Sequence, residues 1–136
     1  MTTRTIPDSH KTLFERPILA SLATTMPDGL IQVNPVWVDY DGTYVRFNSA
    51  EGRQKDKNVK KNGVATVLLV DPNDNYFWVE VRGRAIDITH EGADAHIDSL
   101  AQKYLGKDKY PNRHEGEVRL TYLIKPERVR AVGSPK

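Results

Sequence analysis

The segment YFWVEVRGRAIDI, residues 76–88, has the pattern of a long β-strand with two different faces. Apolar and polar side chains alternate over its first half, which is the two-residue period of a strand. The two faces would carry Phe77, Val79 and Val81 on one side and Trp78, Glu80, Arg82 and Arg84 on the other. The apolar positions change parity after Gly83, which indicates a bend there. Because the mixed face includes a tryptophan, we expect it to contact a second subunit.

Shorter alternating segments on both sides of this strand predict the rest of a sheet. They cover residues 18–25, 30–40, 43–48, 64–70 and 116–125, with a last strand through 129–132. Most are joined by tight turns such as Asp41-Gly42, so the pairing should be antiparallel. Six or seven such strands can close into a small barrel, which removes exposed edges. The expected fold class is therefore mainly β with a few helices, built as a six- to seven-stranded antiparallel barrel.

Two of these strands depart from simple alternation. Residues 18–25 are nearly continuous in small and apolar side chains, which indicates burial on both faces. In residues 30–40 the apolar side chains change from odd-numbered to even-numbered positions at Pro35. Because proline cannot donate to a sheet ladder, we expect a bulge or a sheet edge at this position.

Helices are expected where the alternation gives way to other patterns. The predicted helices and their caps are residues 9–15 with Asp8, residues 51–62 with Gly63, and a segment from an N-cap at Thr89 to Gly106. The first seven residues show no periodic pattern, and we expect a loose tail there.

The composition is that of a single domain covering residues 1–136. The length of 136 residues allows one core, and 20 basic residues nearly balance 18 acidic ones, which argues against intrinsic disorder. The chain has no cysteine, which excludes disulfides, thiolate metal sites and cysteine nucleophiles. There is no apolar run of about 18 residues, as a membrane helix needs, and no signal-peptide pattern at the start. We therefore expect a cytoplasmic protein.

Positive charge is concentrated in residues 51–63, where five basic residues accompany two acidic ones. This segment follows a predicted strand, contains a glycine and then begins a helix. Unpaired backbone amides and the helix dipole at such a junction favour a phosphate group. Ser49, Arg53 and Lys55 can add side-chain donors. A solvated basic helix explains the same charges, so the residues alone leave both interpretations open.

Other candidate residues carry weaker signals. Gln32 and Asn34, beside Pro35, could aim amide groups at a ligand, or they could face solvent on an edge strand. Trp37 and Trp78 could stack on a flat ring, although such residues more often belong to a core or an interface. The four histidines are scattered and no serine lies in a nucleophile motif, so neither a metal site nor a nucleophile is indicated.

A set of short motifs occurs in a characteristic order along the chain. They are LAT at 22–24, PDG at 27–29, QVNPVW at 32–37, FNS at 47–49, GRQK at 52–55 with Asn58, DP at 71–72 and VEVRGRA at 79–85. This ordered set resembles the pyridoxamine 5′-phosphate oxidase-like split β-barrel superfamily. The segments IDSLA at 97–101, YLG at 104–106 and YP at 110–111 are similar to its short deazaflavin-dependent branch, which is typical of actinobacteria. The resemblance covers about residues 10 to 130.

The resemblance implies an FMN-binding-like split barrel and a homodimer with two cofactor sites at the subunit interface. It also implies a flavin-type cofactor, either the deazaflavin F420 or FMN. The positions carried over by motif are Asn48, Ser49, Gly52, Arg53, Lys55, Lys57 and Asn58 around the phosphate, Gln32, Val33, Asn34 and Pro35 along the ring, and Trp78 and Arg82 from the second subunit. Lys57 replaces an arginine associated with the family, and it keeps the charge without the planar fork.

The function implied by the resemblance is an F420H2-dependent reductase that transfers a hydride to an electron-poor double bond of a small organic substrate. The negatively charged tail of F420 suits Lys57, Lys60 and Lys61 beyond the phosphate. The alternatives are an FMN-dependent oxidoreductase on the same fold and an F420-binding carrier without turnover. A nucleic-acid module is disfavoured because the rest of the chain is slightly acidic. Neither the substrate nor a proton donor is indicated.

Overall fold

The computed structural model describes residues 3–135 as seven strands and three helices. Along the chain the elements are α1 (Asp8–Glu15), β1 (Ala20–Thr25), β2 (Ile31–Val36), β3 (Val38–Tyr40), β4 (Val45–Ala50), α2 (Gln54–Asn62), β5 (Val64–Asp71), β6 (Asp74–Thr89), α3 (Ala93–Leu105) and β7 (Arg119–Val132). The strands form one sheet in the order β2-β1-β5-β6-β7-β4-β3, and every pairing in it is antiparallel. In residues 3–135 we find no helix with the length and apolar character that crossing a bilayer requires.

The sheet is a split β-barrel, as predicted. Strands β2 and β3 occupy its two opposite edges, yet only Trp37 separates them in the chain. The sheet must therefore curl until its edges lie side by side, and the split runs between these two edges. The register of β1 against β2 runs continuously from Ala20 opposite Val36 to Thr25 opposite Ile31. Of the two alternatives for Pro35, the sheet edge is confirmed and the bulge is wrong.

The long strand β6 pairs with β5 on one side and with β7 on the other. Its predicted bend is confirmed, because the register against β7 shifts between Arg82 and Gly83. A Cβ atom at Gly83 would lie 2.7 Å from the Ile124 side chain, so only glycine fits the close approach of the two strands. The predicted inner face is also confirmed, since Phe77, Val79 and Val81 are all buried.

The core fills the inside of the barrel with side chains from both halves of the sheet. The rings of Phe47 on β4 and Tyr122 on β7 stack with centroids 4.3 Å apart. Leu13 and Phe14 of α1 are buried against the same cluster, where the helix packs on β3, β5 and β6. This packing gives the sheet a rigid inner surface from which polar side chains near the strand ends can be positioned.

Three sequence-based expectations about the chain ends and caps need correction. Thr3 pairs with Val129 through two backbone hydrogen bonds of 2.9 and 2.6 Å, and Ile6 is buried. The expected tail is thus fixed from residue 3, while residues 1 and 2 lie outside the described range. Asp8 is the first residue of α1 and not its cap, because Pro7 occupies the N-cap position. Gly92 takes the N-cap position of α3 in place of Thr89.

Three predicted segments differ in burial or extent. Strand β1 buries only alternate residues, because its other face lies on the outside of the barrel. Residues 116–132 do not form two strands, since β7 is continuous from Arg119 to Val132. The helix expected over residues 51–62 begins at Gln54, and its predicted end at Gly63 is confirmed by a left-handed backbone with φ of 70°. Residues 51–53 instead form the turn between β4 and α2, which belongs to the candidate functional site.

Candidate functional site

A cleft of about 310 Å³ lies where the split of the barrel meets α2 and α3. Its lining comes from segments far apart in the chain: Leu19, Pro35, Val36, Trp37, Asn48, Arg53, Lys55, Ile97, Tyr110, Asn112 and Arg119. This set contains three cations and no carboxylate, together with three aliphatic residues and two aromatic rings. The cleft is therefore suited to a ligand that carries both negative charge and a flat apolar part.

The turn between β4 and α2 and the first turn of α2 present Arg53 and Lys55 to the cleft. Gly52 has φ of 92°, a conformation that favours glycine, and its N–H donates to Asp56 Oδ2 at 2.8 Å. Asp56 also accepts a hydrogen bond of 2.6 Å from the Tyr122 hydroxyl and pairs with Lys60 at 3.1 Å. Burial raises the pKa of Asp56, but these three donors outweigh it and hold that pKa below its usual value. A buried charged aspartate thus ties the turn to the core.

The three cations lie close enough to influence one another. Burial lowers the pKa of the Lys55 ammonium, and the nearby charges of Arg53 and Arg119 lower it further. Like charges that are held together cost free energy unless an anion compensates them. This concentration of positive charge is the electrostatic signature of an anion-binding site.

Arg119 reaches the cleft from the first position of β7, with only 3% of its surface exposed. Its Nε donates to Asn48 Oδ1 at 2.8 Å, and its Nη1 lies 2.6 Å from Glu117 Oε1. The Tyr110 ring covers the guanidinium, with its centroid 5.1 Å from the central carbon. The guanidinium is therefore held in one orientation by two side chains and a ring.

Asn48 connects this arginine to a polar network behind the cleft. Its Nδ2 donates to the carbonyl oxygen of Ala93 at 2.9 Å and lies 3.3 Å from His96 Nδ1. On its other side, His96 Nε2 lies 3.1 Å from Asp39 Oδ2. Burial raises the pKa of Asp39, but hydrogen bonds from His96 and Arg46 outweigh it and keep that pKa below the usual value. The network fixes which way the Asn48 amide points.

Aromatic side chains form the apolar wall of the cleft. Trp37 stacks on Tyr104 at 5.3 Å, and Tyr110 meets its edge at 5.9 Å. The Tyr104 hydroxyl donates to the carbonyl oxygen of Ile18 at 2.7 Å and accepts from the Val38 N–H at 3.2 Å. Trp37 is thereby held at the split itself, with one ring face covered by α3.

The predicted site residues divide into those that line the cleft and those that do not. Pro35, Asn48, Arg53 and Lys55 line it. Gly52 shapes the turn, and Asn58 is buried with its amide 3.1 Å from the Thr24 hydroxyl, where it holds α2 against β1. Lys57 is exposed to solvent on α2.

Trp78, Arg82 and Val33 lie on the outer face of the sheet, away from the core side. The Arg130 guanidinium lies over the Trp78 ring at 5.7 Å, and Arg82 lines a second, apolar depression of about 280 Å³. Val33 is 61% exposed. Within one chain the structure does not bring these residues into the cleft.

Three predicted residues carry buried polar atoms without a partner. Within residues 3–135, Gln32 Oε1, Asn34 Oδ1 and Ser49 Oγ are buried and make no hydrogen bond. An unpaired buried acceptor costs about 1–3 kcal/mol, so these atoms are candidates for bonds to a ligand. Two amide oxygens suit the N–H and O–H groups of a flavin or deazaflavin, and a serine hydroxyl suits its phosphate. None of these three residues is among those that line the cleft, and Ser49 is fully buried, so the fit to such a cofactor rests on the three cations and the aromatic wall.

Sequence analysis missed Arg119, Tyr110 and Asn112. Tyr110 and Asn112 belong to the loop after α3, and a loop sequence does not show which wall it covers. Arg119 comes close to the turn after β4 because Ala50 pairs with it across the sheet. A single arginine at the start of a predicted strand carries no signal of that pairing.

Comparisons with known proteins agree with this architecture. The family model described as pyridoxamine 5′-phosphate oxidase matches residues 6–133. A solved structure named F420 Reductase is 31% identical, with a TM-score of 0.81 over 92% of this chain and 98% of its own. No curated protein sequence matches the chain.

Two more distant structures share the fold. HupZ of Group A Streptococcus is 21% identical, with a TM-score of 0.69 over 97% of this chain and 100% of its own. A conserved hypothetical protein of Mycobacterium tuberculosis is 20% identical, with a TM-score of 0.71 over 94% and 85%. The match of the family model over nearly the whole chain, together with the split barrel and its cationic cleft, shows that this chain belongs to the pyridoxamine 5′-phosphate oxidase family.

Proposed function

We propose that this protein is an F420-dependent reductase acting on an electron-poor double bond of a small organic substrate. The observation that carries the proposal is the cleft, which combines three cations with an aromatic wall. When bound, reduced F420 supplies the hydride for such a reaction. The protein's own part is to bind the cofactor, orient its ring and exclude water from it.

The phosphate of the cofactor belongs at the turn before α2. Arg53 and Lys55 line the cleft and provide positive charge there. Charge-assisted bonds of this kind contribute about 1.5–3 kcal/mol each. Asp56 supports them indirectly, because it fixes the Gly52 turn that directly precedes Arg53 and the start of α2.

The ring of the cofactor belongs beside β2. Pro35 and Trp37 line the cleft as flat apolar surfaces at the split. The unpaired amide oxygens of Gln32 and Asn34 lie on the same strand and can accept hydrogen bonds from ring or side-chain N–H and O–H groups. Because β2 is an edge strand, it also leaves backbone N–H and C=O groups without a sheet partner on one side, and these can bind the ring as well.

The choice of F420 over FMN rests on charge and on the named relative. F420 carries acidic groups beyond its phosphate, and exposed Lys57 and Lys61 lie further along α2. Lys60 contributes less than expected, because Asp56 and Glu51 already pair with it at 3.1 and 3.7 Å. The 31% identity to a protein named F420 Reductase supports the same choice.

We also propose that the outer face of β1, β2, β5 and β6 binds a second copy of the chain. Ile31 and Val33 are 59% and 61% exposed on β2, and β6 adds Trp78 and Arg82 to the same side of the sheet. An exposed apolar face of this kind fits a subunit interface. In such a dimer the family resemblance implies that Trp78 and Arg82 contact the partner's cofactor, and light scattering at micromolar concentration should give twice the chain mass.

Fluorescence titration of the purified protein with F420 and, separately, with FMN tests the proposal. We expect micromolar or tighter binding of F420 and weaker binding of FMN. A preference for FMN would replace the cofactor while keeping the site, and binding of neither would remove the functional assignment of the cleft. Oxidation of F420H2 by a panel of quinones and unsaturated lactones then separates a reductase from a carrier, which would bind without turnover.

A further inference from the structure

Arg119 is a buried cation whose hydrogen bonds are incomplete. Two of its three guanidinium nitrogens are used, Nε by Asn48 at 2.8 Å and Nη1 by Glu117 at 2.6 Å. Its Nη2 makes no hydrogen bond within the part of the chain that the structure describes, although the residue lines the cleft. A guanidinium that is fixed on one side and free on the other is arranged to bind an anion.

The charges around Arg119 leave positive charge uncompensated. Glu117 is 8% exposed at its side chain and neutralises one cation, but Arg53 and Lys55 face the same end of the cleft. Arg53 and Arg119 both disfavour the charged form of Lys55, which places all three cations within electrostatic reach of one another. Because one carboxylate accompanies three cations, a net positive charge remains, and a ligand group with one or two negative charges can neutralise it.

We propose that Arg119 is the third cation of this anion site and that its free Nη2 donates to an oxygen of the ligand's phosphate. Asn48 and Glu117 act as positioning residues that hold the guanidinium fork towards the cleft. The Tyr110 ring covers the guanidinium and shields the contact from water, which strengthens it. The assignment rests on the proposed function, because it takes the phosphate of a flavin-type cofactor as the ligand group.

Matched ligands with and without the phosphate separate this role from a structural one. The pairs are FMN with riboflavin, and F420 with its deazaflavin fragment lacking the phosphate tail. Arg119→Gln should lower the affinity for the phosphorylated member by roughly ten- to hundredfold. The affinity for the member without phosphate should change less than about threefold, since Nη2 has no partner on it. Equal losses for both members would overturn the proposal and leave Arg119 a purely structural residue.

Two further variants keep the test valid if the single change disturbs folding. Arg119→Gln combined with Glu117→Gln removes the unpaired buried carboxylate that the single variant leaves behind. Arg119→Lys keeps a positive charge beside Glu117 but lacks the fork, and it should lose affinity selectively for the phosphorylated ligand. The unfolding midpoint of each variant, measured without ligand, shows that the binding losses do not come from unfolded protein.

Inorganic phosphate provides a test of the anion site that does not depend on the cofactor. If neither flavin nor deazaflavin binds, the proposed function fails, but the anion site still predicts thermal stabilisation by phosphate over chloride at equal ionic strength. That stabilisation should be lost in Arg119→Gln. A wild-type protein that binds neither the cofactors nor phosphate would refute the anion site itself.

Discussion

Replacing Asp56 with alanine should destabilise the protein by about 2–3 kcal/mol. The side chain is buried and accepts bonds from the Gly52 N–H at 2.8 Å and the Tyr122 hydroxyl at 2.6 Å. Loss of the carboxylate leaves the fully buried Tyr122 hydroxyl without an acceptor, which costs about 1–3 kcal/mol. The exposed Gly52 N–H can bond to water, and the half-exposed pair with Lys60 contributes at most about 1 kcal/mol.

A double-mutant cycle with Tyr122→Phe isolates the largest of these contributions. Tyr122→Phe keeps the ring that stacks on Phe47 and removes only the hydroxyl. The double variant contains neither the orphaned hydroxyl nor the unpaired carboxylate, so its loss should be smaller than the sum of the single losses by at least about 1 kcal/mol. Urea unfolding at constant m-value gives the four free energies. Additivity within about 0.5 kcal/mol would refute the claim that Asp56 ties the turn to the core.

Further changes test other parts of the molecule. Lys55→Ala should weaken F420 binding by about 1–3 kcal/mol in a fluorescence titration, and Lys57→Ala, at an exposed position, should weaken it by less. Equal effects of the two variants would show that Lys55 does not contact the phosphate. Burial lowers the pKa of Lys103 to about 8, below its 10.5 in the unfolded chain, so the unfolded state holds more protons between these values. The free energy of unfolding of wild type relative to Lys103→Met should therefore rise from pH 8 to about 10, and a flat difference in urea unfolding would contradict it. Gly83→Ala should cost about 1–3 kcal/mol in the same assay, because the new Cβ would lie 2.7 Å from the Ile124 side chain; an unchanged midpoint would show that the strands can separate.

Local patterns predicted most of the secondary structure because they reflect local physics. The alternation in residues 76–81 reports which side chains the sheet buries, and Gly63 and Gly106 mark helix ends through their left-handed backbones. The errors at Asp8 and Thr89 have the same local origin. Each residue has the side chain of an N-cap, but the chain places Pro7 and Gly92 in the cap positions.

The change of apolar positions at Pro35 is a feature that the local sequence cannot interpret by itself. A shift of apolar parity within one strand and a change of sheet edge look the same in sequence. In the structure β2 and β3 belong to opposite edges, so Val36 and Val38 face the core from separate strands. Only closure of the barrel distinguishes the two cases, since it depends on pairings between strands far apart in the chain.

The sequence by itself determined the mainly antiparallel β character, the bend at Gly83 and the basic segment after β4. Tertiary structure alone decided which side chains share the cleft. Arg119 comes close to Lys55 because the chain pairs Ala50 with Arg119, and Trp37 faces the cleft because the two sheet edges meet beside it. The physical reason is that alternation depends on each residue's own burial, whereas a site depends on strand register and barrel closure, which are properties of the whole sheet.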